Sequence, residues 1–245
     1  THTLFGRCPA SGVYSVVRQR MKDSWNLDEL RAHIRKREGD PAHLLDVVSS
    51  IDRSTLIFSY HLATARDALK GIIEETEEMS VKNLQFVFGA AENQAEYAHA
   101  KIINEANVIG CIYTARSIFD IFSHLVNDLL LGSSLRPHLC DIVTAHDALP
   151  QSGLKDQLGQ LLASHWFKYV VGFVNTTKHR KLVKHQFSVS FLSGASAVQL
   201  AAFEFKGTEF PTYTTTEVLQ GVLEVKNSLI GCGQTLNRMC IRAVA

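Results

Sequence analysis

The strongest structural signal in this sequence is the run Lys101-Ile-Ile-Asn-Glu-Ala-Asn-Val-Ile-Gly-Cys-Ile-Tyr-Thr-Ala-Arg-Ser-Ile-Phe-Asp-Ile-Phe-Ser-His-Leu-Val-Asn-Asp-Leu-Leu130. Apolar side chains recur in it at steps of three and four residues, the spacing that places them on one face of an α-helix. They are Ile102, Ala106, Ile109, Ile112, Ile118 or Phe119, Phe122, Leu125 or Val126, and Leu129. The pattern predicts a long helix within residues 81–131, which Gly89 or Gly110 divides or kinks and which ends at Gly132.

Helical patterns continue on both sides of this run. Before it they cover residues 27–38 and 41–79, and Ser80 can cap the helix that follows. After it they cover residues 138–147 and 154–163, and another helix begins near His165. The last helix is predicted over 215–242, because Thr214-x-x-Glu217 has the spacing of a capping box, in which each residue satisfies a backbone N–H of the other.

The period of the apolar pattern changes to two after residue 185. Phe187, Val189 and Phe191 alternate with polar residues, and Ser193-Gly-Ala-Ser196 offers a turn before a second strand over 197–205. We therefore predict a mainly α fold, a helical bundle with a C-terminal β-hairpin at about 186–206 inserted before the last helix. The sequence has no internal repeat or low-complexity linker, so residues 1–245 are expected to form a single domain.

Composition sets wide bounds on function. Among the 245 residues, 46% are hydrophobic and the net charge is +1, as in an ordinary globular protein that no global field draws to nucleic acid or to a membrane. The apolar runs are too short for a membrane span, so we expect a cytoplasmic protein without a membrane partner. The five cysteines include Cys8 and are expected to be buried thiols in a reducing compartment, because no Cys-x-x-Cys pair occurs.

The segment that points to chemistry is Asn175-Thr-Thr-Lys-His-Arg-Lys-Leu-Val-Lys-His185, directly after the apolar run 166–174. Cleavage of RNA without a metal needs a group that moves a proton and a cation that stabilises the charge on the phosphate. Histidine serves the first need because its pKa lies near neutrality, and arginine serves the second because its planar fork stays charged. Arg180 and His185 would meet if the preceding helix continued or ended in a tight turn.

The spacing Arg180-x4-His185, near the end of a helical bundle, resembles the signature of HEPN-domain proteins. These are helical, usually dimeric proteins, and many are metal-independent endoribonucleases of toxin–antitoxin, CRISPR and phage-defence systems. The resemblance implies that Arg180 binds the phosphate and His185 transfers the proton, in a cleft shared by a homodimer that acts on RNA. It also implies an HEPN-like bundle over 81–245, accessory N-terminal helices over 1–80, no cofactor, and an antitoxin protein as a partner if the chain is a toxin.

Two registers of the motif compete. The residue after Arg180 is Lys181, where the family often has Asn, Asp or His, and in the shifted register Val174 occupies the Arg position. In that register His179 is the catalytic residue and Arg180 supplies the charge from the next position. In either register we expect the substrate to be bound by the polar and basic neighbours, Asn175, Lys178, Lys181 and Lys184. A different interpretation is that these cations only cap the C-terminus of the helix.

A second polar group lies within the long helix. Arg116, Asp120, His124 and Asn127 follow one another at steps of four, four and three, so they form one stripe that could support the site. The same spacing is typical of a surface ion pair between Arg116 and Asp120. Glu96-x-x-His99 has the spacing of half a di-metal site, but the sequence contains no second half, so we expect no metal ion.

Two functions of different classes remain after these arguments. The first is a metal-independent endoribonuclease, or an RNA-binding descendant of one. The second is a non-catalytic helical module that dimerises or binds another protein through its apolar stripes. The nuclease requires that a guanidinium and an imidazole from residues 175–185 converge on one concave surface that water can reach, and cleavage of RNA in EDTA distinguishes it from the module.

Overall fold

The computed structural model describes residues 25–37, 40–73 and 78–242, apart from the side chain of Arg242. These residues are mainly helical, and small antiparallel sheets precede the last helix, which confirms the predicted fold class at that level. No described helix is both long and apolar enough to cross a lipid bilayer. The helices are α1 (Leu27–Arg35), α2 (Ala42–Asp67), α3 (Val81–Val87), α4 (Gln94–Leu130), α5 (Ile142–Ala148), α6 (Gly153–Ala163), α7 (His165–His179) and α8 (Thr215–Arg242).

The central element of the bundle is α4, which packs along α2 and also contacts α5, α7 and α8. Its predicted apolar face is buried from Ile112 to Val126. The prediction was wrong for Ile102, which is 65% exposed. This first part of α4 instead buries Tyr97, Ala100 and the polar residue Asn104. A purely apolar periodicity therefore misplaces the inward face at this end of the helix.

Two glycines of the predicted helix over 81–131 have different roles. The predicted helix over 81–131 is divided into α3 and α4 next to Gly89, whose φ is +69°, a left-handed conformation that favours glycine. Gly110 remains helical, and a Cβ built there would lie 2.8 Å from the ring of His61 on α2. Gly110 thus allows close packing between α2 and α4. The helix α4 continues through Gly110 without a break.

The helix predicted over 41–79 ends earlier, at Asp67. The chain then turns through Gly71, whose φ is +77°, and buries Leu69, Ile72 and Ile73 in a small apolar cluster with Phe86 of α3. Burying these side chains requires a change of direction that a straight helix would not allow. Most of the acidic run predicted to close this helix, residues 74–77, lies outside the described residues.

The sheet contains more strands than predicted. The strands are β1 (His185–Val189), β2 (Ser196–Leu200), β3 (Phe203–Phe205), β4 (Thr208–Phe210) and β5 (Tyr213–Thr214). Antiparallel pairing of β1 with β2 confirms the hairpin, and β5 adds to the other edge of β2. The second predicted strand breaks after Leu200, and β3 and β4 form a separate hairpin turned by Lys206 and Gly207 at φ 52° and 76°.

Aromatic packing accounts for the second hairpin. Phe203 and Phe210 place their rings 5.3 and 5.5 Å from the ring of Tyr169 on α7. The approach is close because α7 has Gly172 at the contact, where a Cβ would lie 2.8 Å from the Phe210 ring. The final helix then starts as predicted, since Glu217 Oε2 accepts from the Thr214 N–H at 2.7 Å and Thr214 Oγ1 accepts from the Glu217 N–H at 3.1 Å.

One apolar core joins helices from both ends of the described chain. It contains Leu30 of α1, Phe58 of α2, Phe122 of α4 and Leu236 of α8. The boundary placed near residue 80 does not divide this core, because α2 contributes to it along with the later helices. Four cysteines, Cys111, Cys140, Cys232 and Cys240, are buried free thiols, and Cys8 lies outside the described residues.

Candidate functional site

The basic segment, defined here as residues 178–184, begins in the last turn of α7 and continues as irregular chain to β1. The helix ends because the N–H groups of Arg180 and Lys181 both donate to the carbonyl of Thr176, at 2.9 and 3.1 Å. Arg180 itself has left the helical region, with φ −128° and ψ −71°. The helix therefore does not continue to His185, and the next residues run as irregular chain into the sheet.

Most of the basic segment faces solvent. Lys178, His179, Arg180, Lys181 and Lys184 are all exposed, and Val183 is the buried residue that anchors the segment to the core. Among the described residues, no acidic side chain pairs with the three lysines or with Arg180. The four positive charges therefore stay available to an external anion. They also lie near the negative end of the α7 dipole, which favours cations there, as the capping interpretation requires.

His185 occupies a different environment from the rest of the segment. Its side chain is fully buried, and its Nε2 lies 2.7 Å from Asn104 Oδ1 on α4. Asn104 Nδ2 donates to the carbonyl of Ala65 at 2.7 Å, so its Oδ1 is the acceptor and His185 Nε2 carries the hydrogen. The His185 ring thus links β1 to α4, and through Asn104 to α2.

The second nitrogen of His185 is buried without a hydrogen-bond partner among the described residues. The nearest carboxylate oxygen, Glu105 Oε2, lies 3.8 Å from Nδ1, beyond hydrogen-bond distance. Burial, and to a lesser degree the charge of Lys101, lowers the pKa of His185 to about 4. The imidazole is therefore neutral at physiological pH, and it does not share a surface with Arg180.

The other residues predicted to bind substrate or support the site have local structural contacts. Asn175 is half-buried and donates to the carbonyl of Val171 at 2.8 Å, within its own helix. Arg116 pairs with Asp120 one turn along α4, as the ion-pair interpretation predicts. Burial raises the pKa of Asp120 against the opposing effect of Arg116, and His124 and Asp141 also act on it. Asp141 is the N-cap residue of α5, so the stripe lies on the side of α4 that faces α5.

Asn127, the last member of that stripe, also has a structural role. Its side chain accepts from the Leu135 N–H at 3.0 Å and donates to the Leu135 carbonyl at 3.2 Å, which fixes the loop after α4. Within the described residues, no group of three or more His, Cys, Asp or Glu side chains has the arrangement of a metal site. Glu96 and His99 are both exposed on α4.

A cleft that no sequence motif indicates lies beside the Asn104–His185 contact. It has a volume of about 270 Å³ and is lined by the end of α2, by Asn104 and by the start of α8. The polar residues in its lining are Arg66, Lys70, Asn104, Thr215 and Thr216. No sequence motif joins these residues, because the three helices that supply them meet only in the folded bundle.

The comparisons with known proteins add no relative. No protein family, no curated protein and no solved structure matches this chain.

Proposed function

We propose that this protein binds RNA through the exposed cations of the basic segment. The observation that carries the proposal is that Lys178, Arg180, Lys181 and Lys184 all reach solvent while no described acidic side chain pairs with them. Phosphate groups along an RNA strand are bound by such clusters, and most of the affinity comes from the release of counterions. A net charge of +1 for the whole chain makes this a local attraction and not a global one.

The resemblance to HEPN-domain proteins extends the proposal to catalysis. With His185 buried, the register that suits the exposed surface is the one with His179 as the proton-transfer residue and Arg180 as the phosphate-binding cation. Arginine can donate two parallel hydrogen bonds to a phosphate, and histidine is the side chain most often used for proton transfer in catalysis. The second proton-transfer group of a cleavage reaction would come from a second protomer, in a toxin-like or phage-defence homodimer.

The register that uses His185 needs an additional step. Its Nε2 hydrogen is committed to Asn104, and its side chain has no contact with solvent. His185 could act on RNA only if β1 moved away from α4 and broke that hydrogen bond. The predicted catalytic role of His185 therefore requires that movement of β1. Variants of His179 and His185 show which of the two histidines is needed for cleavage.

The test is RNA cleavage in the presence of EDTA, with purified protein and both single-stranded and structured RNA. We expect cleavage by the wild type and a loss of about a hundredfold or more for His179→Gln and for Arg180→Ala. Lys168→Gln, which removes an exposed lysine from the same helix, is the matched control and should leave the rate unchanged.

Three possible outcomes distinguish between the proposals. Cleavage that survives both His179→Gln and Arg180→Ala removes the basic segment from the reaction. Cleavage that is lost in His185→Gln, while that variant stays folded and His179→Gln stays active, supports the other register. Binding of RNA that depends on Arg180, without cleavage, supports an RNA-binding protein that has no nuclease activity.

A non-catalytic interaction module is the second candidate, and one observation favours it. Apolar side chains are exposed at the turn of the first hairpin, where Phe191 and Leu192 are 66% and 103% exposed. Gly194 of this turn packs on the backbone of Met79, so the turn lies beside further exposed apolar residues, Met79 and Val81. Exposed apolar patches commonly mark protein interfaces. Absence of both RNA binding and RNA cleavage would favour this candidate.

A further inference from the structure

The cleft between α2 and α8 combines two kinds of lining. One part is cationic and polar, with Arg66 in the last turn of α2, Lys70 in the turn that follows it, and Thr215 and Thr216 from the start of α8. The other part is apolar and is formed by Ala65, Leu69, Ile73 and Leu219. A site of this composition suits a small molecule that carries an anionic group and a compact apolar body.

The charges in the cleft favour an anion. Arg66 is exposed and forms no ion pair with the described residues. Lys70 pairs with Asp67 on the exposed side of α2, so its charge is shared. The guanidinium of Arg66 is therefore the main free charge of the cleft, and its planar fork matches two oxygens of a phosphate or carboxylate. A phosphate monoester suits the two cations better than a carboxylate because it carries close to two negative charges.

One lining residue of the cleft is held in place by hydrogen bonds. Asn104 lines the cleft, and both ends of its amide are engaged, with the Ala65 carbonyl at 2.7 Å and with His185 Nε2 at 2.7 Å. An amide held on both sides cannot rotate to fill the space. The Asn104 side chain therefore needs no rearrangement before a ligand binds, which reduces the entropy that binding would cost.

We infer that this cleft is a binding site for a small phosphate monoester, with the phosphate at Arg66 and Lys70 and the apolar part against Leu69, Ile73 and Leu219. The volume of about 270 Å³ is more than a phosphate ion needs, and it lies just below the range usual for small-molecule pockets. The inference does not rest on RNA binding, because the cleft residues and the basic segment do not overlap.

Isothermal titration calorimetry tests the inference with phenyl phosphate, inorganic phosphate and phenol as ligands. Phenyl phosphate should bind more tightly than inorganic phosphate, and phenol should not bind, because the site needs both parts of the ligand. Arg66→Gln should weaken phenyl phosphate binding by about tenfold to a hundredfold. Arg53→Gln, an exposed arginine on the same helix α2 outside the cleft, should leave the affinity unchanged.

A further variant separates this site from the proposed RNA surface. Lys181→Gln lies in the basic segment and should leave phenyl phosphate binding unchanged. Loss of binding in Lys181→Gln but not in Arg66→Gln would move the anion to the basic segment and overturn the inference. Equal losses of phenyl phosphate affinity in Arg66→Gln and Arg53→Gln would show only a general effect of charge and would overturn the inference. Absence of binding at millimolar phenyl phosphate would also overturn it.

Discussion

His179 and His185 belong to the same short stretch of sequence, and the structure gives them opposite surroundings. His179 ends α7 with its side chain exposed among lysines and arginine, whereas His185 begins β1 with its side chain buried against Asn104. The change occurs over a few residues because α7 ends at His179 and the buried Val183 brings the chain back to the core. A basic run thus contains two regions, an exposed cationic surface and a buried polar contact, and only the first can meet RNA without rearrangement.

The largest expected effect lies in the exposed region. Replacement of Lys178, Arg180 and Lys181 together by glutamine should weaken RNA binding by roughly a thousandfold at low salt, since each lost charge removes a charge-assisted contact to phosphate. The free energy of unfolding should change by less than about 0.5 kcal/mol, because these side chains are exposed. Fluorescence anisotropy with labelled RNA and urea denaturation measure the two quantities. A small loss of affinity would mean that RNA, if bound, contacts another surface.

The next effect lies in the buried region. Asn104→Ala should lower the free energy of unfolding by about 3 kcal/mol, because the Ala65 carbonyl and His185 Nε2 would both be left buried without a partner. RNA affinity should remain within a factor of about three if the native fold persists. Glu105→Gln, the neighbouring half-exposed residue on α4, is the control and should change stability by less than about 0.5 kcal/mol. Equal stability of Asn104→Ala and wild type would show that this contact is dispensable.

A smaller effect distinguishes the two histidines through pH. The pKa of His185 is about 4 in the folded protein against an ordinary value of 6.5, so the unfolded chain takes up the proton first. The stability that comes from a neutral His185 is present above pH 6.5 and is lost as the pH falls toward 4. Between pH 7 and pH 5 the loss should be about 2 kcal/mol.

The groups that face His185 define the controls for this pH effect. Lys101 opposes its protonation, and Glu105 is the carboxylate near Nδ1. His185→Gln should flatten the pH dependence in this range, whereas His179→Gln should leave it as in the wild type. Denaturant unfolding followed by circular dichroism at several pH values measures both. A slope that disappears in His179→Gln would contradict the assignment of His185 as the buried group.

The smallest effect is expected for His179 itself. His179→Gln should change the free energy of unfolding by less than about 0.5 kcal/mol, because the side chain is exposed. The RNA affinity of this variant should fall by less than about threefold, since the lysines and Arg180 of the basic segment remain in place. Thermal unfolding and anisotropy check these values. A large loss of stability would place His179 in a structural contact instead.

The sequence was sufficient to predict that most of the helices exist and where the last one starts, but not that α2 ends at Asp67. The predicted boundaries follow from local interactions, such as the capping box at Thr214 and Glu217 and the glycine that separates α3 from α4. The second hairpin was missed because Lys206-Gly207 is a weak turn signal and its strands are held by aromatic contacts with α7. Ring packing between distant segments has no period that a sequence pattern can reveal.

The candidate site also has features that the local sequence predicts and features that depend on contacts between distant segments. Its cationic residues could be selected from the sequence because they are consecutive. The burial of His185 could not be predicted, because its partner Asn104 lies far away in the sequence, on α4. The apolar periodicity of α4 does not predict that a polar residue such as Asn104 faces inward. The cleft at Arg66 was missed for a similar reason, since its lining comes from three helices.

The account depends most on the claim that the basic segment is a phosphate-binding surface. The measurement that tests it most directly is the salt dependence of RNA affinity for the wild type and for the variant in which Lys178, Arg180 and Lys181 are glutamine. If three phosphate contacts are removed, the slope of log K against log salt concentration should become shallower by about 2 for single-stranded RNA. An unchanged slope would show that these cations do not contact phosphate and would contradict the account.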